Sequence, residues 1–229
     1  MTALNHDPPR RIGLFGGTFN PIHSGHVQVA RDVLQRYCLT AVEFIPSALP
    51  PHKTEGILAP AEDRYAMVCS ALADEPALKV SDIEIRRSGP SYTIDTLHHF
   101  MDDRRHETHI FFMVGMDAFL EIHTWKSYRR LFELAAFIVM TRPETVKADQ
   151  DMKSVALQFA KERISDGYAL SGDGDRLVHP QKQVIHLASV RPLDISSSRI
   201  RDMIRKGRPI GQWVAPTVAA YIESKGLYR

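Results

Sequence analysis

Short apolar runs alternate along the chain with longer stretches in which apolar residues recur every three or four positions. The runs are typical of buried strands, and the longer stretches are typical of amphipathic helices. Strands are predicted over residues 12–15, 42–46, 79–85, 109–114, 136–140 and 183–189. Helices are predicted over residues 24–37, 62–72, 91–100, 127–134, 149–164 and 195–206, and a last amphipathic helix lies within 209–229. This alternation indicates an α/β fold with a mostly parallel sheet flanked by helices.

Length and charge narrow the picture without adding chemistry. A chain of 229 residues is long enough for one substantial domain and short for two. We therefore predict a flexible extension over residues 1–10 and a single domain over residues 11–229, of which residues 195–229 form a small helical part. The formal net charge of +2 lacks the basic excess of a dedicated nucleic-acid binder, so nucleic acid is not an expected partner.

Targeting and redox signals are weak. Residues 1–11 lack the apolar centre of a signal peptide, and no apolar run approaches membrane-spanning length. We expect a cytoplasmic protein without a membrane partner, and self-association stays open. Cys38 and Cys69, the only two cysteines, are expected to be reduced and buried in helices, although a single disulfide is also compatible with the sequence. Residues 167–180 are polar and contain glycine, which predicts an exposed or mobile connection.

The most informative stretch is Gly-Gly-Thr-Phe-Asn-Pro-Ile-His-Ser-Gly-His, which follows the first predicted strand. Gly16 and Gly17 have no side chains, so main-chain N–H groups can approach an anion closely beside the positive end of the next helix. His23 and His26 are three residues apart at the helix start, a spacing that brings both imidazoles to one side, facing the loop. An ordinary turn or a packed histidine would explain either feature alone. Their combination indicates a phosphate site.

Polar residues also follow other predicted strands at their carboxyl ends, where α/β sheets bind ligands. The proline-rich loop after the second strand ends in His52 and Lys53. Gly115 and Asp117 follow the fourth strand, and the Asp117 carboxylate either accepts hydrogen bonds from a ribose or caps the next helix. Arg142 follows the fifth strand and lies either near a nucleotide or on the surface.

Two helix starts and one aromatic residue complete the candidate chemistry. Three serines at residues 196–198, with Arg201 one turn later, combine hydroxyl, N–H and cationic groups suited to a triphosphate, although capping alone also explains serines there. Ser91 or Thr93 is a candidate cap for the helix that follows. Trp125 is either a core residue or a flat face offered to an aromatic ring.

The order of these motifs resembles the nucleotidylyltransferase superfamily. Its His-x-Gly-His element is matched at residues 23–26, and its second signature, Ile-Ser-Ser-Thr-x-Ile-Arg, is similar to residues 195–201. Pro-Pro-His-Lys at residues 50–53 and Ser-Tyr-Thr at residues 91–93 resemble the bacterial nicotinate-nucleotide adenylyltransferases within it. The resemblance implies a Rossmann-like nucleotidyltransferase fold and a reaction of NAD biosynthesis. In that reaction AMP passes from ATP, bound with Mg²⁺, to nicotinate mononucleotide, giving deamido-NAD and pyrophosphate by direct in-line attack.

The resemblance also implies a role for each candidate residue. The catalytic residues are His23, His26, Lys53 and Arg201. ATP and its phosphates are bound by Gly16, Gly17, Thr18, Phe19, Gly115, Asp117, Arg142, Ser196, Ser197 and Ser198. Nicotinate mononucleotide is bound by His52, Lys53, Ser91, Tyr92, Thr93, Trp125 and Lys126. Main-chain N–H groups around Thr93 are expected to meet the pyridine carboxylate, and Trp125 is expected to stack on the ring. No side chain is expected to ligate a metal directly.

Two positions depart from the family pattern, and three alternatives stay open. Asn20 stands where the family commonly has aspartate, which argues against a charged role there but keeps capping ability. Ser198 stands where threonine is usual, which keeps the hydroxyl. The alternatives are an adenylyltransferase that prefers nicotinamide mononucleotide, another transferase such as the phosphopantetheine enzyme, and a non-catalytic nucleotide-binding module.

Overall fold

The computed structural model describes residues 9–50, 58–102, 108–141, 146–190 and 194–229, and for residues 146–150 it describes only the main chain. A single eight-stranded sheet organises this part of the chain. The strands are β1 (Arg10–Gly17), β2 (Ala41–Pro46), β3 (Leu78–Val80), β4 (Thr108–Gly115), β5 (Ala136–Thr141), β6 (Ala169–Leu170), β7 (Arg176–Val178) and β8 (Ile185–Ser189). Their order is β3-β2-β1-β4-β5-β8-β7-β6. The first six strands in this order pair in parallel. Strand β7 pairs antiparallel with β8 on one side and with β6 on the other. The predicted α/β class with a mostly parallel sheet is confirmed.

Helices connect the strands and cover the sheet. They are α1 (Ser24–Arg36), α2 (Ala61–Ala71), α3 (Ile83–Arg86), α4 (Thr93–Asp102), α5 (Met116–Leu120), α6 (Tyr128–Leu134), α7 (Val146–Phe159), α8 (Ser197–Arg205) and α9 (Pro216–Lys225). A 3₁₀ turn (Ile122–Thr124) follows α5, and α7 continues into a π-helical turn (Ala160–Ile164). The two ends of α9 follow from its sequence. Pro216 occupies the first turn, and Gly226 ends the helix at φ 60°, in the left-handed region.

Both faces of the sheet are buried, which explains why its central strands are continuous apolar runs. Leu14 packs in the core on one face and Phe15 in the core on the other. Phe112 and Met113 divide in the same way on the neighbouring strand. The helices therefore pack against two separate cores that cover both faces of the central strands.

The strand order places a crevice between β1 and β4. Strand β1 pairs with β2 on one side and with β4 on the other, so the connections that leave β1 and β4 diverge at their carboxyl ends. Parallel sheets bind ligands at such switch points. Gly17 ends β1 and Gly115 ends β4, which brings two of the predicted motifs to this crevice.

Two sequence predictions of secondary structure are wrong. The strand predicted over residues 79–85 ends at Val80, and the chain then turns into α3, where Arg86 N–H donates to Asp82 O at 2.9 Å. Ile83 and Ile85 are two residues apart and imitate a strand, but both are only half-buried, whereas Glu84 between them is buried. Residues 167–180, predicted as an exposed or mobile connection, are mostly exposed, but they contain the β6–β7 hairpin. Strands of two and three residues are too short for a pattern to reveal.

The structure tests the predictions about the two cysteines and about membrane-spanning segments. Both cysteines are free, but Cys38 is exposed because α1 ends at Arg36, before it. The prediction that it is buried is therefore wrong. Cys69 lies within α2 and is half-buried. No helix among the described residues is long and apolar enough to span a bilayer.

Candidate active site

The loop after β1 curls tightly around its glycines. A Cβ atom on Gly17 would lie 2.9 Å from Cζ of Phe19, so only glycine fits beneath that ring. Phe19 itself has φ 46°, in the left-handed region, which turns the chain back toward α1. Gly16, Gly17 and Thr18 line the crevice, as expected for a loop that offers its main chain to a phosphate.

His23 and His26 lie against each other at the start of α1. Their ring centroids are 3.7 Å apart with 27° between the planes, so the prediction that they share one side is confirmed. The main-chain N–H of His23 donates to Nδ1 of His26 at 3.2 Å. A neutral His26 therefore carries its proton on Nε2, the nitrogen that can donate to a ligand. Gly25 leaves room for this pair, because a Cβ atom there would lie 3.0 Å from Nδ1 of His23.

The start of α8 is joined directly to the phosphate loop. Ser196 is the N-cap and accepts from Arg199 N–H at 3.2 Å, which confirms a capping role for this serine. Ser197 Oγ donates to Pro21 O at 2.9 Å, and Arg201 Nη1 donates to Asn20 O at 2.8 Å. The two signatures, far apart in sequence, therefore form one unit.

Arg201 of α8 and Asn20 of the phosphate loop both form hydrogen bonds within the protein. Arg201 Nη2 donates to Ser198 Oγ at 3.1 Å, so the guanidinium joins α8 to the loop. Asn20 is 7 % exposed and its Oδ1 accepts from Ala59 N–H at 3.1 Å. The Asn20 side chain, at the position where the family commonly has aspartate, thus holds the main chain at Ala59, just before α2.

A cleft of about 340 Å³ opens beside the phosphate loop. Its walls come from the end of β1, the turn after β2, the start of α4, the end of β4 and the segment before α6. Among its lining residues are Gly16, Gly17, Thr18, Ser91, Tyr92, Thr93, Gly115, Trp125 and Lys126. Loop residues and acceptor residues predicted from separate motifs therefore share one cavity.

The aromatic wall of this cleft has a defined geometry. Trp125 meets Phe112 edge to face, with centroids 6.2 Å apart and 87° between the planes. Trp125 packs against the core and also lines the cleft, so its position suits an aromatic partner as well. Lys126 Nζ lies 4.6 Å from the Tyr92 ring centroid and 3.2 Å from Oδ2 of Asp95. Lys126 thereby adds a partly neutralised positive charge to the same wall.

The residues before α4 divide their roles. Ser91 Oγ accepts from Ala48 N–H at 2.9 Å and from Leu49 N–H at 3.4 Å, so it holds the turn after β2. Thr93 is the first residue of α4 and lies at the positive end of a helix that points into the cleft. The Ser91 hydroxyl therefore bonds to the turn after β2, two residues before α4 begins at Thr93.

The remaining predicted residues have different positions. Asp117 is exposed in the first turn of α5, and the N-cap of that helix is Gly115. The alternative in which Asp117 caps this helix is thus wrong, although the carboxylate suits the helix N-terminus. Asp117 is not among the residues that line the cleft. His52, Lys53 and Arg142 lie outside the described residues.

Two buried charged residues escaped the sequence analysis. Arg64 is 0 % exposed, and burial lowers the pKa of its guanidinium. Glu84 is 7 % exposed and lines the cleft; burial raises the pKa of its carboxyl, and a hydrogen bond from Thr96 Oγ1 at 2.7 Å opposes this. The helical spacing indicates the burial of Arg64, because Arg64 lies three residues before Met67 on the apolar face of α2. A charged residue at a core position of a helix needs polar partners.

Comparisons with known proteins agree with this arrangement. The cytidylyltransferase-like family model matches residues 14–203. A probable nicotinate-nucleotide adenylyltransferase from Desulfatibacillum aliphaticivorans is 40% identical over 224 residues, covering 95% of this chain and 99% of the relative. Another from Geotalea uraniireducens (strain Rf4) is 39% identical over 218 residues, covering 95% of this chain and 98% of the relative.

Solved structures share the fold. The Plasmodium falciparum nicotinic acid mononucleotide adenylyltransferase complexed with NaAD aligns with a TM-score of 0.70 and 19% identity, covering 96% of this chain and 97% of that one. The same enzyme complexed with APC aligns with a TM-score of 0.66 and 18% identity. At such identity the likeness concerns the fold, and it confirms the Rossmann-like nucleotidyltransferase architecture.

Proposed function

The chain belongs to the cytidylyltransferase-like family, among its nicotinate-nucleotide adenylyltransferases, and from this premise we propose how its cleft carries out their reaction. The enzyme transfers the adenylyl group of ATP to nicotinate mononucleotide and releases pyrophosphate, forming deamido-NAD for NAD biosynthesis. The observation that carries the residue assignment is the stacked pair of His23 and His26 beside a glycine loop that opens into the cleft. The predicted cytoplasmic location stays a prediction.

ATP is proposed to bind on the loop side. Main-chain N–H groups of Gly16, Gly17, Thr18 and Phe19 approach the phosphates, and the N-terminus of α8, residues 196–198, provides a second positive pole. His26 donates from Nε2 to a phosphoryl oxygen, since its Nδ1 is occupied by the His23 main chain. Arg201 holds the two anion-binding elements together through Asn20 O and Ser198 Oγ, and its charge lies close to both.

The acceptor is proposed to bind on the cleft side. The pyridine ring stacks on Trp125, and its carboxylate meets the N-terminus of α4 at Thr93. Lys126 adds a positive charge 3.2 Å from Asp95, which favours an anionic acceptor over a neutral one. His52 and Lys53 are proposed to approach the acceptor phosphate, and Asp117, Gly115 and Arg142 are proposed to lie near the ATP ribose and adenine.

The chemical step needs no covalent enzyme intermediate. A phosphate oxygen of nicotinate mononucleotide attacks the α-phosphorus of ATP in line. The bond from that phosphorus to the bridging oxygen of the β-phosphate breaks, and the electron pair leaves with pyrophosphate. The attacking phosphate is already anionic, so no general base is required. Catalysis rests on alignment of the two substrates and on donors that stabilise charge on the phosphoryl oxygens.

ATP is proposed to enter as its magnesium complex. Mg²⁺ at nucleotide sites is bound mainly by substrate phosphates and water, with few protein ligands. Among the residues that the structure describes, no group of three His, Cys, Asp or Glu side chains is placed to hold a metal ion. The magnesium charge would offset the negative charge that gathers on the departing pyrophosphate.

Product identification tests this proposal. The purified protein is incubated with MgATP and nicotinate mononucleotide, and both products are quantified by chromatography and a pyrophosphate assay. We expect deamido-NAD and pyrophosphate in equal amounts. Binding of ATP without either product would instead favour the non-catalytic module, and pyrophosphate formed only with another acceptor would overturn the assigned substrate.

A further inference from the structure

Arg64 is a fully buried cation whose partners are main-chain groups. It projects from α2, and all three hydrogen bonds that the described part of the chain gives its guanidinium end on carbonyl oxygens. Nη1 lies 2.8 Å from Thr18 O, Nε lies 2.9 Å from Ala59 O, and Nη2 lies 3.2 Å from Ala48 O. Burial of a charge costs free energy even when its hydrogen bonds are satisfied. The positions of its three hydrogen-bond acceptors indicate why a charge is buried here.

Two of the three carbonyls belong to opposite sides of the cleft. Thr18 lies in the phosphate loop, and Ala48 lies in the turn after β2, between the cleft-lining residues Ser47 and Pro50. The main-chain N–H of Ala48 donates to Ser91 Oγ at 2.9 Å, at the start of the acceptor side. Hydrogen bonds therefore run without interruption from Thr18 through Arg64 and Ala48 to Ser91. We name this path the Arg64 bridge.

A planar guanidinium suits this task. Its donors diverge at fixed angles, so the three acceptors are held at fixed positions relative to one another. Two further contacts tie the same elements at other points: Ser47 N–H donates to Gly17 O at 3.0 Å, and Ala59 N–H donates to Asn20 Oδ1 at 3.1 Å. The bridge is the connection among these that reaches the acceptor side.

We infer that Arg64 is a positioning residue that sets the separation between the ATP phosphates and the acceptor. The inference rests on the proposed function, because it needs two substrates on the two sides of the cleft. Arg64 touches neither substrate. It fixes the loop that binds the triphosphate relative to the turn that meets the acceptor, so that the attacking oxygen and the α-phosphorus are in line. Misplacement by about 1 Å is enough to cost on the order of a hundredfold in rate.

The test separates alignment from binding and from folding. Arg64→Lys keeps the positive charge but replaces the fork with a single ammonium group that cannot hold three divergent carbonyls. We expect kcat to fall roughly tenfold to a hundredfold, with KM for each substrate within about threefold of the wild-type value. Calorimetric titration with MgATP alone should give an unchanged affinity. Arg176→Lys is the matched control, since Arg176 is exposed and pairs with Asp173 in the β6–β7 hairpin.

A second variant breaks the bridge at its other end. Ser91→Ala removes the acceptor of the Ala48 N–H, and the Arg64→Lys/Ser91→Ala double variant should lose much less than the product of the two single losses. Losses in kcat that multiply, or a folded Arg64→Lys enzyme with wild-type kcat, would overturn the inference. Should Arg64→Lys not fold, the kcat of Ser91→Ala at saturating concentrations of both substrates decides: a lowered kcat supports the bridge, and a wild-type kcat overturns it. A wild-type protein that makes no deamido-NAD would contradict the proposed function instead.

Discussion

The two sides of the cleft are built in different ways. On the loop side, His23 and Asn20 are buried, and the Arg201 side chain donates to the main-chain carbonyl of Asn20, 181 residues earlier in the sequence. On the acceptor side, Lys126 is 48% exposed and Asp95 is 36% exposed, and the wall is assembled from several short segments. The loop side is thus fixed before any ligand arrives, as expected for a site that stabilises charge. The acceptor side offers surfaces rather than fixed donors, which suits recognition of one substrate.

The largest effect is expected on the loop side. His26→Ala should lower kcat by roughly a hundredfold or more, because it removes a donor whose orientation the His23 main chain already fixes. Steady-state pyrophosphate release measures this loss, and circular dichroism checks folding. His99→Ala, at an exposed position on α4, is the control and should remain active. An active His26→Ala enzyme would remove this histidine from the mechanism.

A smaller loss on the same side tests the histidine packing. Gly25→Ala places a Cβ atom 3.0 Å from Nδ1 of His23 and should displace that ring, lowering kcat by about tenfold. Gly211→Ala is the matched control, because no atom lies within 4 Å of the added Cβ there. Equal activity of the two variants would mean that the stacked arrangement does not matter for turnover.

The acceptor side should respond in KM rather than in kcat. Trp125→Ala removes the face proposed to stack on the pyridine ring, so KM for nicotinate mononucleotide should rise by roughly tenfold while KM for ATP stays the same. Trp125→Phe keeps an aromatic face and should recover much of the loss. If both substrates bind normally to Trp125→Ala, the stacking assignment is wrong.

The smallest effect concerns charge. Lys126→Met removes a cation that Asp95 partly neutralises at a half-exposed position, so discrimination against nicotinamide mononucleotide should fall only about twofold to fivefold. The ratio of kcat/KM for the two acceptors measures it, and added salt should shrink the difference between variant and wild type. A loss that is identical for both acceptors would assign Lys126 to general binding.

The same contrast explains what the sequence reveals. The phosphate loop itself, residues 16–26, is contiguous in sequence, and its glycines and histidines are conspicuous, so its turn, the helix start and the shared side of the two histidines follow from local rules. Its contact with α8 joins residues far apart in sequence, which local rules do not predict. The alternation of elements likewise gave the fold class. The residue type of Trp125 allows either a core position or a ligand contact, and in the structure Trp125 packs against the core and also lines the cleft.

Other features could not be read from local patterns. The Arg64 bridge depends on carbonyl oxygens of distant segments, and carbonyls leave no mark on a sequence. The β6–β7 hairpin is too short to show periodicity, and α3 imitates a strand. The division into an extension over residues 1–10 and one domain over 11–229 stays a prediction, as do the roles of His52, Lys53 and Arg142.

Acceptor preference tests the account most directly, since the contrast between the two sides assigns substrate choice to the cleft. Pyrophosphate release from MgATP is measured with nicotinate mononucleotide and nicotinamide mononucleotide in parallel, each over a concentration series. We predict that kcat/KM favours the acid by roughly tenfold to a hundredfold or more, the value of a hydrogen-bonded charge. A preference for the amide, or equal use of both, would contradict recognition of the carboxylate at Thr93 and Lys126.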